Sequence, residues 1–255
     1  MNFVRRGTGK PLLLVHGLGG SHHSWDTIAD ALAAERDLVI VDLPGFSITP
    51  PLPDVSIATL ADAVTAFLAE QHLTGIDAVG SSMGARLVLE LARRGVVGNV
   101  VSLDPGGFWE GWERSFFGAS IGASIKLIRA LRPVLPLLLG NPITRTALFL
   151  QFSTRPWAIP GRVALTEART FADSPSFDPL LKQLVDGPRQ QGTAAPPGRV
   201  VIGWGDADRV CFPPQAQRAV NAFPTARLHW FKGCGHFPMW DAPGETVRLI
   251  LDTTA

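Results

Sequence analysis

The sequence predicts an α/β domain whose mostly parallel sheet has helices on both faces and carries an inserted helical cap. In the first hundred residues, short apolar runs alternate with helical patterns, an order typical of parallel sheets. The alternation stops after Gly107 and resumes at Val200–Ile202. We therefore expect residues 1–107 and 198–255 to form the core, and residues 108–197 to form the cap, or lid.

Six short runs of strand-forming residues define the expected sheet: Leu12–Val15, Leu38–Val41, Ile76–Val79, Val100–Leu103, Val200–Ile202 and Arg227–Phe231. Helical patterns lie between and after these runs. They extend from about 24 to 35, from a cap at Ser56 to about 71, over 82–94, near 214–222 and from about 243.

Composition excludes several classes of function. Of the 255 residues, 46% are hydrophobic and 18% are charged, which is enough apolar material for a sizeable core. The net charge of +1 gives no basic surplus for nucleic acid, so the expected partner is a small molecule. We expect no signal peptide and no transmembrane segment, since prolines, glycine and Arg145 interrupt the most apolar stretch, residues 134–150. The chain is expected to be a monomer or a homodimer.

The two cysteines, Cys211 and Cys234, are too few for a disulfide framework and have no zinc-binding spacing. Free thiols are typical of a reducing compartment. The sequence therefore predicts a cytoplasmic protein with no metal site.

The motif that carries chemistry is Gly80-Ser81-Ser82-Met83-Gly84, a G-x-S-x-G pattern centred on Ser82. A predicted strand precedes it and a predicted helix follows it, the context of a nucleophile elbow. Glycines are favoured two residues either side, because side chains there would collide in so sharp a turn. Ser81 is excluded as the centre, since its corresponding neighbours are Val79 and Met83. Ser82 is the predicted nucleophile, and a tight structural turn is the alternative.

A serine hydroxyl needs a base to remove its proton. The best candidate is His236, in the glycine-rich loop Gly233-Cys234-Gly235-His236 after the last predicted strand. The other five histidines fit less well. His16 ends a strand and is expected to brace the loop that follows it.

Three aspartates can orient that base, and the order of preference is Asp208, Asp104, Asp206. Asp208 follows the strand at Val200–Ile202 and gives the chain order Ser, Asp, His. Asp104 ends the preceding strand, where an acid could also reach the histidine. Asp206 is better interpreted as a turn-forming residue.

Hydrolysis through a tetrahedral intermediate also needs two hydrogen-bond donors for the oxyanion. The backbone N–H of Met83 directly follows the nucleophile. The second donor is expected from the loop His16-Gly17-Leu18-Gly19-Gly20, with Leu18 as the choice. The alternative is that this loop is only a flexible turn.

Taken together, five segments resemble the α/β-hydrolase fold superfamily, in particular its small, cofactor-free esterase-like and meta-cleavage-product-hydrolase-like members with a helical cap. They are HGLGG (16–20), DLPGF (42–46), GSSMGA (80–85), GWGDADRV (203–210) and GCGHFPMWDAP (233–243). The resemblance covers residues 1–107 and 198–255 and implies a triad of Ser82, Asp208 and His236, with oxyanion-hole amides at Leu18 and Met83. The sequence departs from the usual family pattern at Ser47-Ile48-Thr49-Pro50, directly after DLPGF. This segment contains none of the expected catalytic residues.

The expected function is a serine hydrolase that cleaves carboxylic esters of small to medium apolar substrates. Epoxide hydrolases and haloalkane dehalogenases resemble this family, but their nucleophile is an aspartate. This chain has Ser82 at that position, which favours acyl transfer through an ester intermediate. The alternatives are a carbon–carbon bond hydrolase of the meta-cleavage type, a thioesterase or lactonase, and a slow-turnover ligand receptor. An apolar cap predicts an apolar pocket, although most of its large residues are expected to pack the cap itself.

Overall fold

Seven strands form one sheet in the computed structural model, which describes residues 1–255. The strands are β1 (Asn2–Arg6), β2 (Lys10–Val15), β3 (Arg36–Asp42), β4 (Asp77–Ser81), β5 (Val100–Leu103), β6 (Val200–Gly205) and β7 (Arg227–Phe231). Their order is β1-β3-β2-β4-β5-β6-β7. Only β1 is antiparallel to its neighbour. All six predicted strands are confirmed, and β1 adds an antiparallel edge.

Alternate residues of the central strands enter two separate apolar cores, because successive side chains of a strand point to opposite faces. On β2, Leu13 and Val15 pack in the larger core, with helices α2 (Ile57–Glu70) and α3 (Met83–Arg93). Leu12 and Leu14 pack in the second core, with α11 (Pro243–Thr254). Both faces are thus covered, as the near-continuous apolar strands predict.

The remaining core helices are α1 (Ala29–Ala33), α9 (Pro214–Ala222) and α10 (Pro238–Asp241). Helix α2 begins as predicted at Ser56, whose side chain accepts a hydrogen bond from the Thr59 N–H in a reciprocal capping box. The continuous helix expected over 24–35 is wrong. A 3-10 turn at His22–Trp25 and the short α1 replace it, since Ile28 has a φ of −129°, outside the helical range.

The interval between β5 and β6 contains helices only. These are α4 (Glu113–Ala130), α5 (Leu135–Gly140), α6 (Pro142–Phe149), α7 (Gly161–Asp173) and α8 (Phe177–Asp186). Helices α4 to α7 share a small apolar core, whereas the buried residues of α8 pack in the larger core. The small core is made by Ile128, Leu135, Leu139, Phe149, Ile159, Val163, Ala164, Ala168 and Ala172. No helix of the chain combines the length and apolarity needed to cross a bilayer. The role of residues 108–197 as a lid stays a prediction.

Candidate active site

Ser82 lies on the sharp turn between β4 and α3. Its φ of +57° falls in the left-handed region that residues other than glycine rarely adopt. A Cβ atom on Gly80 would collide with the Gly84 backbone, and one on Gly84 would collide with the His16 carbonyl. Close backbone packing therefore requires the two glycines of the motif. It holds Ser82 in a strained conformation immediately before the first residue of α3.

His236 lies in the loop after β7, and its Nε2 atom is 2.8 Å from the Ser82 Oγ atom. The ring is buried, with 1% of its surface exposed. Its backbone N–H donates to the Phe152 carbonyl at 2.9 Å, so a residue of the helical interval holds the loop in place. Among the other histidines, His22 contacts Asp42 and His229 contacts Glu245.

Asp208 is the carboxylate that contacts this histidine. Its Oδ2 atom is 2.8 Å from the His236 Nδ1 atom. Its Oδ1 atom accepts hydrogen bonds from the Val210 and Cys211 N–H groups, at 2.7 and 3.1 Å. These three hydrogen bonds fix the carboxylate and, through it, the imidazole ring. Ser82, His236 and Asp208 thus form one hydrogen-bonded chain.

The two other aspartates make different contacts. Asp206 accepts from the Gly233 N–H at 2.7 Å and so braces the histidine loop from its outer side. Asp104 is fully buried, with φ +49°, and its Oδ1 atom accepts from the Gly205 N–H at 2.8 Å. Burial, and then the adjacent charge of Asp208, raise the pKa of Asp104 well above its ordinary value. A neutral Asp104 is the expected state, and neither Asp104 nor Asp206 hydrogen-bonds to His236.

The loop after β2 lies directly against the nucleophile. A Cβ atom on Gly17 would stand 3.2 Å from the Ser82 Cβ atom. The N–H of Leu18 has no acceptor within the protein, and Met83, as the first residue of α3, has no intrahelical acceptor for its own N–H. Both residues line the same pocket as Ser82.

His16 braces this loop from beneath. Its Nε2 atom accepts from the Leu43 N–H at 3.0 Å, and its Nδ1 atom lies 2.7 Å from the Gly17 carbonyl. Burial lowers the pKa of His16 to about 4, so the ring is neutral at physiological pH. The Nδ1–H therefore donates to Gly17, and both nitrogens are used structurally.

Ser82 and His236 open into a cavity that encloses about 970 Å³, including open solvent at its mouth. Sixteen of the 25 lining residues are hydrophobic, as the apolar cap predicts. Several come from the helical interval, including the aromatic residues Trp109, Phe117, Phe149 and Phe152. Others point to solvent, including Trp112 and Trp157.

Asp241, at the end of α10, ties the histidine loop to the helical interval. Its carboxylate accepts from the Gly235 N–H at 2.7 Å, one residue before His236. It also accepts from the Thr154 N–H at 3.0 Å and from the Ser153 hydroxyl at 2.5 Å. One buried carboxylate therefore fixes the position of both segments relative to each other.

Comparison with known proteins identifies the family. A model of the alpha/beta hydrolase family matches residues 12–249. The chain belongs to that family.

Three known proteins illustrate the similarity. The epoxide hydrolase EphH of Mycobacterium tuberculosis is 32% identical over 210 residues, which are 77% of this chain and 94% of EphH. Lipase 3 of Moraxella sp. is 26% identical over 251 residues, which are 94% of this chain and 76% of the lipase.

The third is a solved structure, a thermophilic esterase from Thermogutta terrifontis. It superposes with a TM-score of 0.77 at 17% identity, covering 98% of this chain and 91% of the esterase. At that identity the likeness shows the fold alone. The predicted α/β-hydrolase fold is confirmed.

In this hydrolase, Asp208, His236 and Cys211 bring three potential metal-ligand atoms within 4.8 Å of one another. The first two already hydrogen-bond to each other. Burial, and then the charge of Asp208, raise the pKa of the Cys211 thiol well above its ordinary value, so it stays protonated. A metal ion bound by these three side chains would have to break the hydrogen bond between Asp208 and His236.

Three polar residues of the site carried no prediction from sequence. Asp241 stands within the GCGHFPMWDAP segment, but no pattern assigns it a partner. Arg86, buried on α3, lines the pocket and donates to the Pro188 carbonyl at 2.6 Å. Glu167 lies on α7, in the cap that matches no recognised motif. Only the three-dimensional packing brings these side chains to the cavity.

Proposed function

We propose that this hydrolase is a serine esterase that cleaves carboxylic esters through an acyl-enzyme, with Ser82 as nucleophile. The observation that carries the proposal is the hydrogen-bonded chain from Ser82 Oγ to His236 to Asp208, with both donor–acceptor distances at 2.8 Å. A hydroxyl on a strained turn, in contact with a buried imidazole that a carboxylate orients, is the arrangement that activates serine for acyl transfer.

In the first half of the reaction, the Ser82 oxygen attacks the acyl carbon as His236 Nε2 accepts its proton. Asp208 accepts the Nδ1–H hydrogen bond, which fixes the required tautomer and stabilises the imidazolium. His236 then donates the proton to the departing alcohol oxygen. In the second half, the same nitrogen takes a proton from water as the water oxygen attacks the acyl-enzyme carbonyl. The imidazolium then returns that proton to the Ser82 oxygen as the bond between Ser82 and the acyl carbon breaks and the carboxylic acid leaves.

Both tetrahedral intermediates carry negative charge on the former carbonyl oxygen. We assign its stabilisation to the N–H groups of Leu18 and Met83, which lie beside Ser82 without internal acceptors. Fixed donors of this kind supply a large share of transition-state stabilisation, because they need no reorganisation as charge develops. The N-terminal end of α3 adds a favourable dipole.

The apolar cavity supports a small to medium apolar substrate. Residues 108–197 are assigned as the lid, since they supply much of the cavity wall and contact the histidine loop through Phe152. The similarity to Lipase 3 supports ester cleavage. The similarity to EphH does not transfer its named reaction, because a serine that opened an epoxide would form an ether. An ether has no carbonyl that water could attack to release the enzyme.

The proposal is tested by hydrolysis of a series of 4-nitrophenyl esters by wild type, Ser82→Ala and the control Ser115→Ala, an exposed serine of α4. We expect Ser82→Ala to lower kcat by about 10⁴-fold or more, and Ser115→Ala to match wild type. Full activity of Ser82→Ala would overturn the mechanism.

The same assay separates the alternatives. Turnover of a dienoate chromophore without ester turnover would indicate carbon–carbon bond cleavage, and thioester and lactone substrates are compared in parallel. Tight ligand binding with turnover far below about 1 s⁻¹ would indicate a receptor, since ordinary enzymes exceed that rate.

A further inference from the structure

Glu167 occupies an unusual position on the cavity wall. It lies on α7, and it is the only acidic residue among those that line the cavity. Its Oε2 atom accepts a hydrogen bond from the Ser24 hydroxyl at 3.2 Å. Its Oε1 atom is buried and has no hydrogen-bond partner. The side chain as a whole is only half-buried, and it forms part of the cavity wall.

An unpaired buried acceptor is costly, and native proteins rarely keep one without a reason. The surroundings supply no cation. The residues nearby on the wall are apolar, including Ala168, Phe171 and Met239. The charge that acts on the pKa of Glu167 is that of Asp26, which has the same sign. Burial, reinforced by Asp26, raises the pKa of Glu167 to about 7.

A purely structural role explains only half of this arrangement. The hydrogen bond to Ser24 joins α7 to the 3-10 turn that follows the Leu18 loop, and a glutamine could make the same bond. That role leaves the Oε1 atom unexplained. The side chain lines the cavity that also contains Ser82 and His236, and a rotation of its carboxyl group would turn the buried Oε1 atom towards a bound ligand.

We propose that Glu167 is a specificity-determining residue that binds a hydrogen-bond donor, a hydroxyl or an ammonium group, on a part of the substrate remote from the scissile bond. The inference rests on the proposed esterase function and narrows its substrate class from simple apolar esters to esters with one such polar substituent. The rest of the substrate packs against the apolar wall. The lid thereby selects the substrate through one polar contact, while the core performs the chemistry.

Isomeric substrates isolate this contact. The 4-nitrophenyl ester of 6-hydroxyhexanoic acid and that of 5-methoxypentanoic acid have the same formula, but only the first donates a hydrogen bond. Longer pairs of the same kind cover other distances along the cavity. We expect wild type to prefer the hydroxyl isomer by about tenfold or more in kcat/KM at the best chain length, the scale of one hydrogen bond to a charged group.

Glu167→Leu should remove this preference while turnover of the methoxy esters is retained. Glu167→Gln should keep part of the preference for the hydroxyl ester and lose any preference for the 6-aminohexanoyl ester, since the amide accepts a hydrogen bond but carries no charge. The control is Glu70→Gln, an exposed residue at the end of α2, which should behave as wild type.

A binding measurement separates this inference from the proposed reaction. In Ser82→Ala, we expect hexan-1-ol or hexylamine to bind more tightly than 1-methoxypentane, an isomer of the alcohol that lacks the donor. The difference should vanish in Ser82→Ala/Glu167→Leu. If no ester is turned over but this difference persists, the esterase proposal fails and the role of Glu167 stands. If esters are turned over but the isomers rank equally in wild type, or rank alike in wild type and Glu167→Leu, the role of Glu167 is overturned.

Discussion

The α/β core and the helical interval at 108–197 contribute different things to the same cavity. The core supplies the polar groups of the proposed triad and oxyanion hole, on turns that follow β2, β4, β6 and β7. The interval supplies apolar wall from residues such as Phe149 and Phe171, with Glu167 as its one carboxylate. The difference implies that core variants change the rate for every substrate, whereas cap variants change the ranking of substrates.

The largest effect should come from the acid of the core. Asp208→Asn keeps the shape but reverses the hydrogen bond that fixes the His236 tautomer. We expect a fall in kcat of about 10⁴-fold for all esters. The matched control is Asp206→Asn, which changes a carboxylate that braces the outer side of the histidine loop. Its kcat should fall far less.

Steady-state kinetics of both variants, with Asp104→Asn beside them, check this assignment. If Asp104→Asn were inactive and Asp208→Asn active, the assignment of the acid would be wrong.

The contact between the two regions should give an intermediate effect. Asp241→Asn replaces one accepting oxygen with a donor and so breaks a hydrogen bond to Gly235 or to the Ser153–Thr154 segment. We expect kcat to fall about tenfold, because His236 is displaced from Ser82.

Exposed Asp252→Asn is the control for this change. An unchanged kcat in Asp241→Asn, with an unchanged melting temperature, would show that the two regions are positioned independently.

The last effect concerns the stability of the protein and not the rate of the reaction. Burial raises the pKa of Glu167 from its ordinary 4.5 to about 7, so the folded state favours the protonated form. The contribution of protonated Glu167 to the stability of the folded state is complete below pH 4.5, and it is lost as the pH rises through about 7. The free energy of unfolding of Glu167→Gln, relative to that of wild type, should therefore rise by about 1 to 3 kcal/mol between pH 4.5 and about 7. This range is an upper bound, because the side chain is only half-buried and solvent screens its charge.

Melting temperatures of the two proteins at pH 4.5 to 8 measure this difference. A difference in melting temperature between the two proteins that stays constant with pH would contradict a raised pKa of Glu167.

The same two regions differ in how far sequence predicts them. The strands of the core are near-continuous apolar runs, so their positions along the chain follow from local sequence. Gly80, Ser82 and His236 stand in short motifs that are typical of a nucleophile elbow and of a histidine loop. Local sequence therefore predicts these site residues as well. Ile28 shows a limit even there, since the break in the expected helix depends on how that residue packs under the sheet.

In the cap, local sequence indicates helices but not their packing. Phe117 and Phe116 are adjacent on α4, yet Phe117 lines the cavity and Phe116 is 41% exposed. The roles of Glu167 and Asp241 depend on contacts with Ser24 and Ser153, which are 143 and 88 residues away along the chain. No local pattern contains such pairs.

The central claim is that Ser82 is the nucleophile, and covalent labelling tests it most directly. The protein is treated with a fluorophosphonate, which reacts with activated serines, and the modified peptide is located by mass spectrometry. The account predicts a single adduct on Ser82 that is absent from Ser82→Ala and strongly reduced in Asp208→Asn. An adduct on another residue, or equal labelling of Ser82→Ala, would contradict it.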